Sequence, residues 1–223
     1  MVRRIVVCGG QQLLHPALTT YLFALARRPR PRVLFVGTAS GDGAGYLLTF
    51  YQAMAGVDCE PSHLALFDRV VEDIEGLVRS QDVVIVGGGN TANMLAVWRL
   101  HGVEAALRSA YANGTILSGW SAGCLCWFEG GITDSFTPKL SALRDGLGIL
   151  KGSACPHYDS QEARRPVYAR ELAGGLPPGI ALEDGVAARY DDERLVEVVS
   201  ARPDGRAFHV EANGERPIEV RAL

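Results

Sequence analysis

The sequence has no paired-cysteine pattern, and this absence excludes a disulfide framework and a structural zinc site. The number of cysteines is odd, and no two form a CxxC pair. Two of them lie only two positions apart, too close for an ordinary disulfide, and no histidine set completes a zinc-binding pattern. We therefore expect reduced, mostly buried thiols at Cys8, Cys59, Cys124, Cys126 and Cys155.

Long apolar runs and a large excess of one charge are also missing. No stretch approaches the roughly 18 apolar residues of a membrane span, and the first ten residues lack the apolar segment of a signal peptide. A net charge of −3 gives no basic surface for nucleic acid or anionic lipid. We expect a cytoplasmic protein without nucleic-acid or membrane partners, and no metal or cofactor. The sequence leaves the oligomeric state open, with a homodimer as one expectation.

What the sequence does have is an alternation of short apolar runs with longer amphipathic segments. Its 223 residues, 48% of them hydrophobic, suit a single domain spanning 1–223. The apolar runs are rich in β-branched residues and nearly unbroken, as is typical of central parallel strands. The alternation predicts an α/β fold with a doubly wound sheet between two helical layers. We expect strands at 4–8, 33–37, 62–67, 83–86 and 115–118, and helices at 17–28, 46–55, 71–79, 91–100 and 103–112.

The last third of the chain has a different pattern of predicted secondary structure. Short strand-like runs follow one another with turn residues between them, such as Pro203-Asp204-Gly205 and Asn213-Gly214. Such turns are hairpin signals. The tail therefore predicts an antiparallel ribbon on the main sheet, with strands at 180–182, 186–190, 195–200, 207–211 and 218–221.

The strongest chemical signal is the G-x-S-x-G motif at 119–123, directly after a predicted buried strand. Small residues around a serine allow a sharp strand-to-helix turn that exposes the hydroxyl at the start of a helix. There the Ala122 amide and the positive end of the helix can receive an oxyanion. A plain glycine-rich turn with Ser121 as a helix cap is the structural alternative.

A second glycine-rich segment, Gly87-Gly88-Gly89-Asn90-Thr91, closes another central strand. Its amides could cradle a phosphate or supply the second half of an oxyanion hole. The segment lacks the ending of a P-loop and the dinucleotide-binding pattern, so nucleotide binding is the weaker interpretation. Gly9-Gly10 and 37–41 could join the same rim, although as plain βα turns they need no function.

A nucleophilic serine needs a base, and two histidines are candidates. His157 lies in a polar loop after a short strand, and His209 lies in a predicted hairpin. The chain order of α/β-hydrolases would be met by Ser121, Asp184 and His209. A pair of Ser121 with His157 would instead take its acid from one of three carboxylates, Glu183, Asp184 or Asp134.

Five motifs in order resemble the peptidase E (aspartyl dipeptidase) family, whose wider group includes cyanophycinases. They are GGGNTANML at 87–95, GWSAG at 119–123, Asp134-Ser135-Phe136, the CPHY segment at 155–158 and Asp184-Gly185. The resemblance spans residues 4 to about 210. It implies a three-layer α/β sandwich akin to class I glutamine amidotransferases, and hydrolysis of dipeptides with an N-terminal aspartate.

The resemblance also implies roles for residues. The family nucleophile falls on Ser121, its base on His157, and its oxyanion donors on the backbone of Gly89 and Ala122. The third member is typically a carboxylate before a glycine, which matches Asp184. This chain departs from the simple pattern, because Glu183 stands beside it. Neighbouring residues of an extended chain point in opposite directions, so only one can reach the base. We favour Asp184, with Glu183 and Asp134 as alternatives.

Recognition of an acidic dipeptide needs a cation for the aspartyl carboxylate and an anion or carbonyls for the amine. Arg164 and Arg165 resemble the family's arginine-bearing segment, and a guanidinium can hold a carboxylate with two hydrogen bonds. They could equally be a solvated helix end. We also expect Glu183 at the substrate, whereas Trp120 and Trp127 are expected in the core.

Two rival functions remain open from the sequence. One is a related hydrolase, such as a cyanophycinase-like β-aspartyl peptidase or an esterase using the same turn. The other is a non-catalytic small-molecule sensor on the same fold, with Ser121 inert. The joint presence of nucleophile, base, acid and both oxyanion segments favours the enzyme.

Overall fold

The computed structural model describes residues 1–223, which form two β-sheets and seven α-helices. The helices are α1 Pro16–Ala24, α2 Ala44–Met54, α3 Ile74–Arg79, α4 Thr91–His101, α5 Val103–Ala112, α6 Ala122–Leu125 and α7 Arg164–Ala173. The strands are β1 Arg4–Cys8, β2 Arg32–Val36, β3 Glu60–Leu64, β4 Val83–Val86, β5 Ile116–Trp120, β6 Phe128–Thr133, β7 Ser141–Leu143, β8 Leu150–Cys155, β9 Gly179–Leu182, β10 Val186–Asp191, β11 Arg194–Ser200, β12 Ala207–Glu211, β13 Gly214–Ile218 and β14 Arg221–Ala222.

The main sheet has eight strands in the order β14-β11-β10-β1-β5-β4-β2-β3. Strands β1, β5, β4, β2 and β3 are parallel to their neighbours, and β10 joins β1 antiparallel. Side chains alternate between two buried faces: Ile5 and Val7 of β1 enter one core, and Val6 and Cys8 enter the other. A strand buried on both faces explains the unbroken apolar runs of the sequence.

Helices cover both faces of the main sheet. Helices α1 and α2 pack on one face through side chains such as Leu22 and Phe50. Helices α3, α4 and α5 pack on the other, where Trp98 and Leu107 are completely buried. The predicted α/β architecture is therefore confirmed. No helix of the structure combines the length and the apolar character needed to cross a membrane.

A second sheet has six strands in the order β13-β12-β9-β8-β6-β7, and it corrects the prediction for the tail. The predicted antiparallel ribbon on the main sheet is divided. Strands β10 and β11 extend the main sheet, whereas β9, β12 and β13 belong to the second sheet. The chain crosses from one sheet to the other at 183–185, where Gly185 has a φ of +73° that favours glycine. Helix α7 packs on the second sheet through Tyr168 and Leu172.

All five cysteines are free and buried, as predicted. Burial raises the pKa of the Cys8 thiol to about 12, and it raises that of Cys155 to about 12 as well. These thiols therefore stay protonated and unreactive at neutral pH.

Candidate active site

Ser121 lies on a sharp turn between strand β5 and helix α6. Its backbone has φ 56° and ψ −113°, a combination that few residues other than glycine adopt. A methyl group on Gly119 would lie 2.6 Å from the carbonyl oxygens of Val86 and Gly123, so the turn fits only because these positions carry no side chain. The Ala122 amide opens the helix and has no intrahelical acceptor. The predicted strand–serine–helix arrangement is thus present.

The second glycine-rich loop lies directly against this turn. A methyl group on Gly88 would be 3.3 Å from Ser121 Cβ. The neighbouring amides are used within the fold, since Gly87 N donates to Val36 O at 3.1 Å and Asn90 N donates to Ala39 O at 2.8 Å. The Gly88 and Gly89 amides have no acceptor within the chain. Two N–H groups without a partner therefore lie in the loop whose Gly88 adjoins Ser121, and such groups can donate hydrogen bonds to an oxyanion.

The Asp134-Ser135-Phe136 motif holds that loop in place. Ser135 Oγ accepts a hydrogen bond from Thr91 N at 2.8 Å, and Ser135 O accepts one from Asn90 Nδ2 at 2.9 Å. Asp134 itself makes no hydrogen bond or ion pair with His157. The structure thus does not bring Asp134 to the histidine as a triad acid.

His157 and Asp184 form a hydrogen-bonded pair. The imidazole Nδ1 lies 2.7 Å from Asp184 Oδ1, and the Asp184 side chain is only 7% exposed. Burial tends to raise the pKa of the Asp184 carboxyl, but hydrogen bonds from His157 and Ser160 and the attraction of His157 outweigh it and lower the pKa. An ionised carboxylate can only accept, so Nδ1–H donates to it. The other ring nitrogen, Nε2, is then free to accept a proton.

Two groups that the sequence did not single out complete the surroundings of Asp184. Gln11 Nε2 donates to Asp184 Oδ2 at 3.2 Å. Arg202 Nη1 donates to Asp184 O at 3.1 Å and to Asp159 Oδ2 at 2.5 Å, and Asp159 Oδ1 accepts from Asp184 N at 2.9 Å. Gln11 follows β1 at the carboxyl edge of the sheet. Because ligands bind at this edge in α/β folds, its position could have identified Gln11 as a candidate site residue from the sequence.

Gly10 packs directly against the His157–Asp184 pair. A methyl group there would overlap Asp184 Oδ1 and lie 2.6 Å from His157 Cε1. The backbone of the same turn is bonded to both segments, since His157 N donates to Gly9 O at 3.3 Å and Gly185 N donates to Gly10 O at 3.0 Å. The sequence left open whether this turn belongs to the rim of the site or is a plain βα turn, and the structure places it in close contact with the histidine–carboxylate pair.

Glu183 points away from Asp184, as the argument from neighbouring residues predicts, and it does not face a substrate. Its side chain is only 2% exposed and accepts hydrogen bonds from Arg206 Nε at 2.9 Å and Arg206 N at 3.0 Å. The expectation that Glu183 contacts substrate therefore has no support in this geometry.

Neither Arg164 nor Arg165 reaches the pocket that Ser121 borders. Arg164 is buried and donates to Ile132 O and Gln161 Oε1, each at 2.8 Å. The Arg165 guanidinium pairs with Glu215 and stacks over the Tyr158 ring, 4.3 Å from its centroid. Internal partners hold both side chains on the second sheet, away from the pocket that Ser121 borders.

His209 is also removed from Ser121. It lies on β12 of the second sheet, is 41% exposed, and pairs with Glu211 at 3.0 Å. The order Ser121, Asp184, His209 of an α/β-hydrolase is therefore not assembled.

A pocket of about 610 Å³ opens beside Ser121 and His157. The two side chains border it together without a direct hydrogen bond. Such contacts often tighten only when substrate binds. Trp120 and Trp127 are both buried in core clusters as expected, and Trp120 also lines the pocket along with Gln11. No three His, Cys, Asp or Glu side chains lie close enough together to hold a metal ion.

Comparisons with known proteins identify a peptidase family and its relatives. The model of Peptidase family S51 matches residues 5–198. A Bacillus subtilis (strain 168) protein named uncharacterized peptidase YgaJ is 41% identical over 214 residues, covering 94% of this chain and 92% of its own length. The Peptidase E of Shewanella denitrificans is 26% identical over 178 residues, covering 74% of this chain and 71% of its own.

A solved structure shares the fold. The crystal structure of a peptidase from an acI-B1 Actinobacterium superposes with a TM-score of 0.70 at 17% identity. The match covers 99% of this chain and 95% of the other. At this identity the likeness concerns the fold alone.

Proposed function

Because the chain belongs to peptidase family S51, we propose that it is a serine peptidase that cleaves small peptides through an acyl-enzyme on Ser121. The observation that carries this proposal is the His157–Asp184 hydrogen bond of 2.7 Å, beside a pocket that Ser121 also borders. A buried carboxylate that fixes one imidazole nitrogen leaves the other free for general-base work.

The reaction follows from these positions. His157 Nε2 takes the hydroxyl proton as Ser121 Oγ attacks the carbonyl carbon of the substrate. The Ala122 amide and that of Gly89 or Gly88 donate to the oxyanion, and loss of one such donor typically costs about 100- to 1000-fold. The imidazolium then gives its proton to the leaving amine as the C–N bond breaks. Water, activated by the same nitrogen, releases the acid and regenerates Ser121.

A preference for dipeptides with an N-terminal aspartate is the finer part of the function expected from sequence. The five family motifs and the relative named Peptidase E favour it. The lining of the pocket argues against a preference for aspartate, because no Arg or Lys borders the space beside Ser121. We therefore propose the peptidase without the aspartyl preference. The same chemistry would serve a cyanophycinase-like enzyme or an esterase, whereas an inert sensor would have no use for free amides beside a serine and its base.

A fluorophosphonate probe tests the proposal, because it reacts with activated serines. We expect one adduct, which peptide mapping places on Ser121, with loss of peptidase activity in step with labelling. The control is Ser109→Ala, at a serine on helix α5 outside the pocket, which should label normally. Labelling that persists in Ser121→Ala, or peptide turnover by a fully labelled protein, would contradict the proposal.

A further inference from the structure

The pocket beside Ser121 has no charged carboxylate, guanidinium or ammonium group in its wall. One wall is the turn at 12–14, the opposite wall is the start of α2, and the floor is Trp120. Eleven residues border the space, and none is Asp, Glu, Lys or Arg. Leu13, Leu14, Tyr46 and Trp120 provide its apolar surface.

The floor of this pocket is a fixed aromatic stack. The Trp120 ring lies 6.0 Å from Phe35 at 15° and 6.5 Å from Tyr46 at 17°, and Phe35 stacks on Phe50 at 4.9 Å. Phe35 and Phe50 are completely buried, so the core holds the outer rings in place. A flat apolar wall of this kind is preformed for a hydrophobic group and loses little entropy on binding.

Neither of two carboxylates in neighbouring segments borders the pocket. Asp184 accepts from His157 and Gln11. Asp42, which precedes the pocket-lining Gly43, accepts through Oδ2 from the amides of Leu66 and Phe67 at 2.5 and 3.1 Å, while its Oδ1 is buried without a partner. A charged substrate side chain placed here would lose its water and gain no opposite charge, which is costly.

We propose that this pocket takes an uncharged apolar side chain, of the size of leucine or phenylalanine, on the residue that supplies the scissile carbonyl. Trp120 immediately precedes the nucleophile, and Gly88 immediately precedes Gly89, so the pocket adjoins the place of the carbonyl carbon and oxygen. Trp120, Tyr46, Leu13 and Leu14 are then specificity-determining residues. The inference rests on the proposed function and names its substrate class as peptides with an apolar acyl residue.

A dipeptide panel with a constant second residue tests the class. We expect kcat/KM for Leu-Ala and Phe-Ala to exceed that for Asp-Ala by about 100-fold or more, because the carboxylate would be desolvated without a partner. Asn-Ala, which has the shape of Asp-Ala without its charge, should fall between them. Asp-Ala cleaved as fast as Leu-Ala, or faster, would overturn the inference.

Adding a cation to the wall should shift the preference. Leu14 is 65% exposed at the rim, so Leu14→Arg should fold normally. We expect this variant to raise the ratio of Asp-Ala to Leu-Ala cleavage by roughly 10-fold, because the guanidinium can pair with the carboxylate. The control is Leu48→Arg, on α2, 58% exposed and outside the pocket. Equal ratios in the two variants would count against the proposed position of the side chain.

Removing part of the apolar wall should lower kcat/KM for apolar substrates. We expect Tyr46→Ala to lower kcat/KM for Phe-Ala by roughly 10-fold, since the lost ring contacts an apolar group. The control, Tyr51→Ala, lies on the same helix at nearly the same exposure, 37% against 39%, and should have no effect. An unchanged Phe-Ala rate in Tyr46→Ala contradicts the assignment of this wall.

Binding separates a failure of this inference from a failure of the proposed function. Calorimetry with Ser121→Ala, which cannot turn over substrate, should give tighter binding of Leu-Ala than of Asp-Ala. If fluorophosphonate fails to label Ser121 but this ranking holds, the pocket assignment stands and the peptidase mechanism falls. If the probe labels Ser121 but Asp-Ala binds more tightly, only the pocket assignment is overturned.

Discussion

Polar groups at the carboxyl edge of the main sheet lack partners within the chain, whereas those at the start of helix α7 have them. At the sheet edge, two loop amides have no acceptor and one imidazole nitrogen is free. At α7, Arg164 donates to a carbonyl and an amide oxygen, and Arg165 pairs with Glu215. These groups have no partner within the chain and lie at or next to the pocket, so they are available to a substrate. Charge alone does not mark a substrate site, because the arginines stabilise the second sheet.

The largest expected contrast is between His157, in the loop after β8, and His209, within β12. His157→Ala should lower kcat by about 10,000-fold, because base and nucleophile act as a unit. His209→Ala, at a partly exposed side chain on β12, should change kcat by less than about threefold. Steady-state kinetics of both variants, with thermal unfolding to confirm their fold, would check this. The opposite ranking would make His209 the base and contradict the pairing of His157 with Ser121.

Substitution at Gly10, in the turn after β1, should lower kcat nearly as clearly as loss of a catalytic side chain. Gly10→Ala should lower kcat by roughly 100-fold, since a methyl group would displace His157 and Asp184 by a fraction of an ångström or more. Gly56→Ala is the matched control, because nothing lies within 4 Å of a methyl group there. If both variants kept wild-type kcat, the close packing of Gly10 would have no part in positioning the pair.

The Asp184 carboxyl should also couple stability to pH. Because its folded pKa is lowered, its contribution to the free energy of unfolding is present above the ordinary carboxyl pKa of about 4. That contribution is lost as pH falls through the folded pKa. We expect Asp184→Asn to flatten the acid limb of the stability profile measured by urea unfolding. Asp68→Asn, at an exposed carboxylate, should leave it unchanged. A profile unaltered by Asp184→Asn would contradict the lowered pKa.

The smallest effect on catalysis is expected at α7. Arg165→Ala should change kcat/KM by less than about threefold for every dipeptide. It should lower the free energy of unfolding by about 1 kcal/mol, because its stacking on Tyr158 and its pair with Glu215 are lost. Kinetics and urea unfolding of the same preparation measure both quantities. Loss of Asp-Ala cleavage alone in this variant would restore the role expected from sequence.

The main sheet was predictable because its strands are buried on both faces. The sequences of such strands are nearly unbroken apolar runs. The second sheet was harder to predict. Strand β6 contains Gly130 and Gly131, and a methyl group on either would overlap a carbonyl oxygen, of Leu143 and Ala154 respectively. Close strand approach therefore required glycine, and this removed the β-branched pattern.

At the site, motifs located the turn of Ser121 and the segments of His157 and Asp184, but not what surrounds them. Gln11 reaches Asp184 from 173 positions away in the chain, a contact that only the fold creates. Trp120 resembles a core residue in sequence because it ends a buried strand. Its position at the pocket depends on how α2 and the turn at 12–14 pack around it. Arg164 and Arg165 have the right chemistry for a carboxylate, and only the structure shows that internal partners hold them.

The central claim is that peptide cleavage passes through an acyl group on Ser121, and partitioning to hydroxylamine tests it most directly. Substrates with one acyl residue and different leaving groups would be hydrolysed in the presence of hydroxylamine, and the ratio of hydroxamate to free acid measured. A common acyl-enzyme predicts one constant ratio for all leaving groups, with neither product formed by Ser121→Ala. A ratio that varies with the leaving group, or products formed by Ser121→Ala at the wild-type rate, would contradict the account.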